Sequence, residues 1–184
     1  RHGSGMFAGR IELDGAPVDS FPPSIRVARL GFVSQIPHDQ IVTGTVGDEV
    51  AFGLESAGQK VEDIELGVQR ALRSVQLRVP ENQPATALSG GQMARLVVAS
   101  AIAGAPSVLL LDEPLAQLDP AAATALLSVL RSIADSGTAV VMIEHRVHLV
   151  RDMVDRVVVM NEGRIVGEGS DKLREVGLGL ALPE

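Results

Sequence analysis

Apolar positions along the chain repeat at two periods. Val61, Ile64, Val68, Leu72 and Val75 recur at three- and four-residue steps, the spacing of one face of an α-helix. Glu62 and Asp63 fall in its first turn, where carboxylates complement the helix dipole. Arg10 to Asp14 instead alternates polar and apolar before Gly15, as a half-buried strand does. Arg29 to Ser34 is a second short strand, separated from the first by a loop at Pro22 and Pro23. Val108 to Leu111 and Thr138 to Ile143 are continuous apolar runs, which predicts strands buried on both faces. Between them Asp119-Pro120 is a strong helix start, an N-cap carboxylate followed by Pro at the first helical position. That helix presents Leu126, Leu127, Leu130 and Ile133 and stops near Gly137. A helix is also predicted from the residues after Leu88 to about Ala103, and another from His145 to about Asp152. Arg156 to Val166 reads as a hairpin turning at Asn161-Glu162-Gly163. Strands alternating with helices predict an α/β domain with a largely parallel sheet.

Composition narrows the function. The 184 residues are 46 % apolar and 21 % charged, an ordinary globular balance. Sixteen Lys and Arg against 23 Asp and Glu leave a net charge of −7, which argues against a nucleic-acid partner bound through a basic face. The absence of Cys excludes disulfides, thiol catalysis and cysteine zinc sites. The most apolar stretch, Leu96 to Leu111, is broken by Ser100, Gly104, Pro106 and Ser107 and falls short of the roughly 20 residues that span a bilayer. Arg1 to Arg10 lack the apolar core of a signal peptide, so a soluble, cytoplasmic chain is expected.

Two places carry candidate chemistry. In Val108 to Glu113, four apolar residues run into two adjacent carboxylates, Asp112 and Glu113. Open α/β sheets bind ligands beyond the carboxyl ends of their strands, where these acids would lie. The alternative is a solvated strand end with two ordinary acids. In Leu88-Ser-Gly-Gly-Gln92, two glycines at a helix start expose backbone N–H groups, and the dipole favours an anion there. Ser89 adds a hydroxyl and Gln92 an amide. A glycine-rich turn with a serine N-cap is the plainer alternative.

Taken together, these residues resemble the nucleotide-binding domain of ATP-binding-cassette (ABC) ATPases. Gln35 matches the Q-loop, Leu88 to Gln92 the signature motif and Val108 to Glu113 the Walker B strand. Ala116 to Asp119 matches the D-loop and His145 the switch histidine, all in the family's order. The resemblance implies a P-loop NTPase-like α/β core with an inserted α-helical subdomain, and ATP and Mg²⁺ as cofactors. It implies that Asp112 and Gln35 serve the metal, that Glu113 polarises the attacking water, and that His145 senses the γ-phosphate. It implies that Ser89, Gly90, Gly91 and Gln92 contact nucleotide held by an opposite subunit, and that Asp119 links the two sites of a dimer. On this basis residues 1–42 close a β-subdomain and carry the Q-loop, 43–87 form the helical subdomain, 88–170 the signature helix and core, and 171–184 a tail. A finer resemblance, carried by Gln35 to Gln40, Thr45 to Leu54 and Glu144-His145-Arg146, is to the ATPases of energy-coupling-factor importers of vitamins or transition-metal ions. Gly9 to Gly15, after a Gly-rich stretch, is similar to the segment following the first helix there. The partners implied are a membrane-embedded transporter subunit and a second ATPase domain, at the cytoplasmic face of the membrane.

One element of the family pattern does not occur. A P-loop requires Gly-x-x-x-x-Gly-Lys-Ser/Thr, whose Lys and amides hold the β- and γ-phosphates. The lysines are Lys60 and Lys172, and neither precedes Ser or Thr. In His2-Gly-Ser-Gly5 nothing apolar precedes the glycines, and Met6 stands where the Lys should be. A piece of a longer protein is therefore expected, rather than a truncated non-catalytic subunit. Without the P-loop strand, apolar edges such as Val108 to Leu111 would face a gap. A DNA-repair or chromosome-maintenance ATPase is disfavoured by the absence of heptads and the acidic balance. A ribosome-associated ABC protein would need two cassettes and basic linkers. The acids Glu49, Glu55, Glu62, Asp63 and Glu65 predict an acidic helical surface for a basic helix of the membrane partner.

Overall fold

The computed structural model describes residues 8–169 apart from residue 57; the Gly-rich opening at His2 to Gly5 and the 171–184 tail lie outside the described residues. In chain order the elements are β1 (Glu12–Leu13), β2 (Ala16–Pro17), α1 (Pro23–Arg29), β3 (Leu30–Val33), α2 (Val46–Ser56), α3 (Val61–Ser74) and α4 (Gly90–Ile102). They continue with β4 (Val108–Asp112), α5 (Pro120–Asp135), β5 (Ala139–Ile143), α6 (Val147–Val150), β6 (Val157–Asn161) and β7 (Arg164–Gly169).

The central sheet is parallel, in the order β3-β4-β5, with Phe32, Leu110 and Val141 aligned in one row across it. Its two faces differ. Val33, Leu109 and Leu111 are buried, in one core with Leu96, Val97, Leu126 and Leu130 of α4 and α5. On the other face Phe32, Leu110, Val141 and Ile143 remain 36–59 % exposed. The continuous apolar runs therefore do not produce strands buried on both faces. The described helices supply a core for one face, and the other is left open among the described residues. Nor does the Val108 to Leu111 strand face a gap, because β4 is flanked on both sides and, among the described residues, the unpaired sheet edges belong to β3 and β5.

Other expectations are met or adjusted locally. Pro23 opens α1 where a loop was expected, since Pro suits a first helical position. The Arg10 to Asp14 strand shortens to the two residues of β1, and the His145 helix to the single turn of α6. In α3, Val68, Ala71 and Leu72 are buried, but Val61 at the helix start is 83 % exposed. The hairpin β6–β7 turns at Glu162 and Gly163, both at positive φ (48° and 73°), the geometry of a tight hairpin turn. Arg131 of α5 donates to Asp135 and Asp155 at 2.6 and 2.9 Å, tying the helix to the segment before β6.

Helix α2 crosses α4 closely. A Cβ at Gly53 would stand 2.6 Å from the Ser100 carbonyl oxygen, so only glycine permits this approach. Val46, Val50 and Leu54 are buried on the same stripe, and so is Glu49, at 3 % exposure. Its Oε2 accepts from Val42 N and Thr43 N, both at 3.0 Å, and from the Thr43 hydroxyl at 2.8 Å. The expected acidic surface therefore lacks Glu49, whose carboxylate closes the loop before its own helix.

Candidate functional site

Strand β4 delivers Asp112 to the carboxyl end of the sheet, and Glu113 follows at a left-handed φ of 46°. A non-glycine residue there is held by its surroundings at a cost of order 1–3 kcal/mol. The holding contacts come from distant segments. Glu113 N donates to the Ile143 carbonyl at the end of β5 at 3.0 Å. Gln35 Nε2 donates to Glu113 Oε2 at 2.8 Å, and His145 Nε2 lies 3.0 Å from Glu113 Oε1. The acid is recessed, with its side chain 24 % exposed, whereas the His145 ring is 80 % exposed. One carboxylate is thus fixed in position by two neighbours while its surroundings stay open to an incoming ligand.

Asp112 lies in register with Ile143, on the same sheet face as Leu110, and no hydrogen bond engages its carboxylate among the described residues. Gln35 donates through its nitrogen, which leaves its amide oxygen for another partner. A free carboxylate and an amide oxygen at a strand end suit Mg²⁺, which keeps several waters and takes few protein ligands beside phosphates. No group of three His, Asp or Glu side chains gathers at metal-ligand spacing among the described residues. The remaining oxygens would have to come from water and the nucleotide.

A second cluster lies at the adjoining starts of α4 and α5. Ser89 caps α4 in a capping box: its Oγ accepts from Gln92 N at 3.3 Å, and Gln92 Oε1 accepts from Ser89 N at 2.9 Å. The Gln92 oxygen is thereby committed to its own helix, while Gly90 and Gly91 offer bare backbone. A Cβ on Gly91 would come within 3.1 Å of the Ala122 methyl of α5, so the glycine also sets the helix spacing. Asp119 caps α5, accepting from Ala122 N at 2.9 Å. The plainer readings of Ser89 and Asp119 as N-caps are therefore realised in the fold, and they do not conflict with exposed backbone donors beside them.

Sequence reasoning assigned no role to the two residues that flank His145. Glu144, with its side chain 5 % exposed, accepts from the backbone N–H groups of His145 and Arg146 at 3.0 and 2.9 Å. Arg146 reaches the Leu118 carbonyl, just before Asp119, at 3.4 Å. The signal available was a Glu and an Arg bracketing His145, which periodicity does not interpret. A groove of about 260 Å³ opens between β3, α2 and α4, with Phe32, Gln40, Phe52 and Ser100 in its walls, and none of Gln35, Asp112, Glu113 or His145 lines it.

A three-stranded parallel sheet packed on helices, with an Asp-Glu pair at the carboxyl end of its central strand, is the α/β core of a P-loop NTPase-like fold. The chain belongs to the ABC transporter family, whose profile matches residues 5–116. It is 37 % identical over 166 residues to the energy-coupling factor transporter ATP-binding protein EcfA of Methanocaldococcus jannaschii, covering 89 % of this chain and 60 % of that protein. It is 34 % identical over 184 residues to a putative ABC transporter ATP-binding protein of Methanosarcina acetivorans, covering 95 % of this chain and 30 % of the relative. The chain thus spans 60 % of the length of the first of these relatives and 30 % of the second. The fold superposes on CbiO1 of Clostridium perfringens, part of the ABC transporter complex CbiONQ, with a TM-score of 0.82 and 29 % identity, over 92 % of this chain and 69 % of that one.

Proposed function

We propose that this chain carries the hydrolytic end of the ATP-binding subunit of an ABC importer of the energy-coupling-factor type. The observation that supports it best is Glu113, held between Gln35 and His145 at the end of the central strand. In this reading Glu113 polarises the water that attacks the γ-phosphate, and His145 stands beside that phosphate. Asp112 and the free oxygen of Gln35 take part of the Mg²⁺ shell. Bound Mg-ATP supplies the transferable phosphoryl group and the charge that these residues are arranged to meet.

Ser89, Gly90 and Gly91 serve a second nucleotide, held by a partner ATPase domain across a dimer interface, and Asp119 lies on that interface. Gln92 orders the helix start from which those donors project. The grip on the β- and γ-phosphates comes from a P-loop strand and helix outside these 184 residues. The open row Phe32, Leu110 and Val141 and the free edge of β5 support that reading, since an apolar face and an unpaired strand both favour a covering element. We assign 43–87 to the helical subdomain, between a 1–42 segment and an 88–170 core, with 171–184 as a tail. The groove beside α2 receives a helix of the membrane partner at the cytoplasmic face. No helix among the described residues is long and apolar enough to cross a membrane itself.

The test joins a P-loop strand–helix segment to this chain and measures phosphate release. Steady turnover by the joined protein, lost in Glu113→Gln with ATP binding retained, is the expected result. Turnover that survives Glu113→Gln contradicts the assignment.

A further inference from the structure

The two segments that meet at Glu113 and His145 are held very differently. The loop after β4 is fixed along its length. Leu115 is fully buried, Ala116 N and Leu118 N donate to the Glu113 and Leu115 carbonyls, and Asp119 caps the 16-residue α5. The turn that bears His145 has less of its own to hold it, since α6 beyond it is four residues long and the His145 ring is 80 % exposed. Arg146 joins the two segments. Its Nη1 donates to the Leu118 carbonyl at 3.4 Å, and no other donor reaches that oxygen among the described residues.

Glu144 completes the arrangement from the other side of His145. Its Oε1 accepts from His145 N and Arg146 N at 3.0 and 2.9 Å and lies 3.7 Å from Arg146 Nε. Its Oε2, with Nε and Nη2 of Arg146, is buried and engaged in no hydrogen bond among the described residues. Nε and Nη2 are the two donors on one side of a guanidinium, the fork that a carboxylate accepts. The fork faces the acid, which leaves Nη1 for Leu118. A carboxylate 5 % exposed is costly without a cation, so Glu144 holds Arg146 as firmly as Arg146 holds Leu118.

We propose that Arg146 and Glu144 are positioning residues for His145: Glu144 fixes the turn by its backbone, and Arg146 moors that turn to the start of α5, so that the exposed ring stays on Glu113. The inference rests on the hydrolytic role given to Glu113 and His145 above.

The test follows the His145 ring signals by NMR in the ¹³C- and ¹⁵N-labelled 184-residue chain. Arg146→Met keeps the apolar stem and removes the guanidinium. It should move the His145 ring signals toward those of a free histidine and shift the Leu118 carbonyl. Arg131→Met is the control, because that side chain is as exposed as Arg146 (33 % against 32 %) and ties α5 elsewhere. It should leave both signals in place. His145 signals unmoved in Arg146→Met, or moved equally in Arg131→Met, overturn the proposal. If Arg146→Met does not fold, Glu144→Gln decides: it keeps an acceptor for the two N–H groups and removes the charge facing Arg146, and unmoved His145 signals there overturn the proposal as well. In the chain joined to a P-loop segment, Arg146→Met should lower kcat, by up to roughly a hundredfold, with KM for ATP unchanged. Arg146→Lys, whose ammonium reaches one acceptor at a time, should recover part of the loss. Full turnover with the His145 signals displaced would leave the positioning standing and overturn the part given to His145 in hydrolysis.

Discussion

The two candidate regions are built in opposite ways. At the end of β4, Gln35 reaches Glu113 from 78 residues earlier in the chain and His145 reaches it from beyond β5, and the backbone is bent into a left-handed φ to bring them together. At the starts of α4 and α5, Ser89, Gln92 and Asp119 satisfy their own helices within three residues, and what is presented outward is glycine backbone. The first region is assembled by tertiary structure and pays in strain for a fixed carboxylate. The second is encoded locally and needs only a ligand or partner to be completed. Substitutions in the first should therefore cost chemistry more than stability, and substitutions in the second should cost stability even in the absence of nucleotide.

The largest expected effect is on chemistry. In the chain joined to a P-loop segment, Glu113→Gln should lower ATP turnover by about a thousandfold, within the usual range for losing a general base. Calorimetric binding of Mg-ATP should be unchanged. Next comes Glu49→Ala, which removes a carboxylate of 3 % exposure and takes the acceptor from the Val42 and Thr43 backbone N–H groups. It should cost about 3 kcal/mol of stability by urea unfolding, where a surface acid would cost almost nothing. Ser89→Ala and Asp119→Ala should each cost about 1 kcal/mol as lost N-caps, read the same way in the chain alone. His145→Ala, at a ring 80 % exposed, should change stability by less than about 0.5 kcal/mol. A His145 variant that destabilises more than the Ser89 variant would erase the contrast between the two regions.

Much of this was legible in the residues. The apolar run ending in Asp112 and Glu113 predicts a strand with acids at its carboxyl end, and β4 is that strand. Asp119-Pro120 and Ser89 followed by Gln92 announce two helix starts, and both are capped accordingly. Those signals are local, so they survive translation into structure. What was not legible depends on which neighbours are near. An apolar strand does not say whether one or both faces are covered, and Val141 and Ile143 stay over half exposed. Glu49 reads as one of several solvated acids, yet it lies on the buried stripe with Val46, Val50 and Leu54. Its position on that stripe was the available signal.

The central claim is that these 184 residues supply the hydrolytic end of an ABC site and depend on a P-loop from elsewhere to hold nucleotide. It is tested most directly by calorimetric titration of the 184-residue chain with Mg-ATP. Most of the affinity for a triphosphate comes from P-loop amides, the P-loop Lys and the metal they place. Binding should therefore be undetectable in the micromolar range for the chain alone and should appear when the P-loop segment is joined to it. Micromolar binding by the 184-residue chain would contradict the account and require a phosphate-binding element among its own residues.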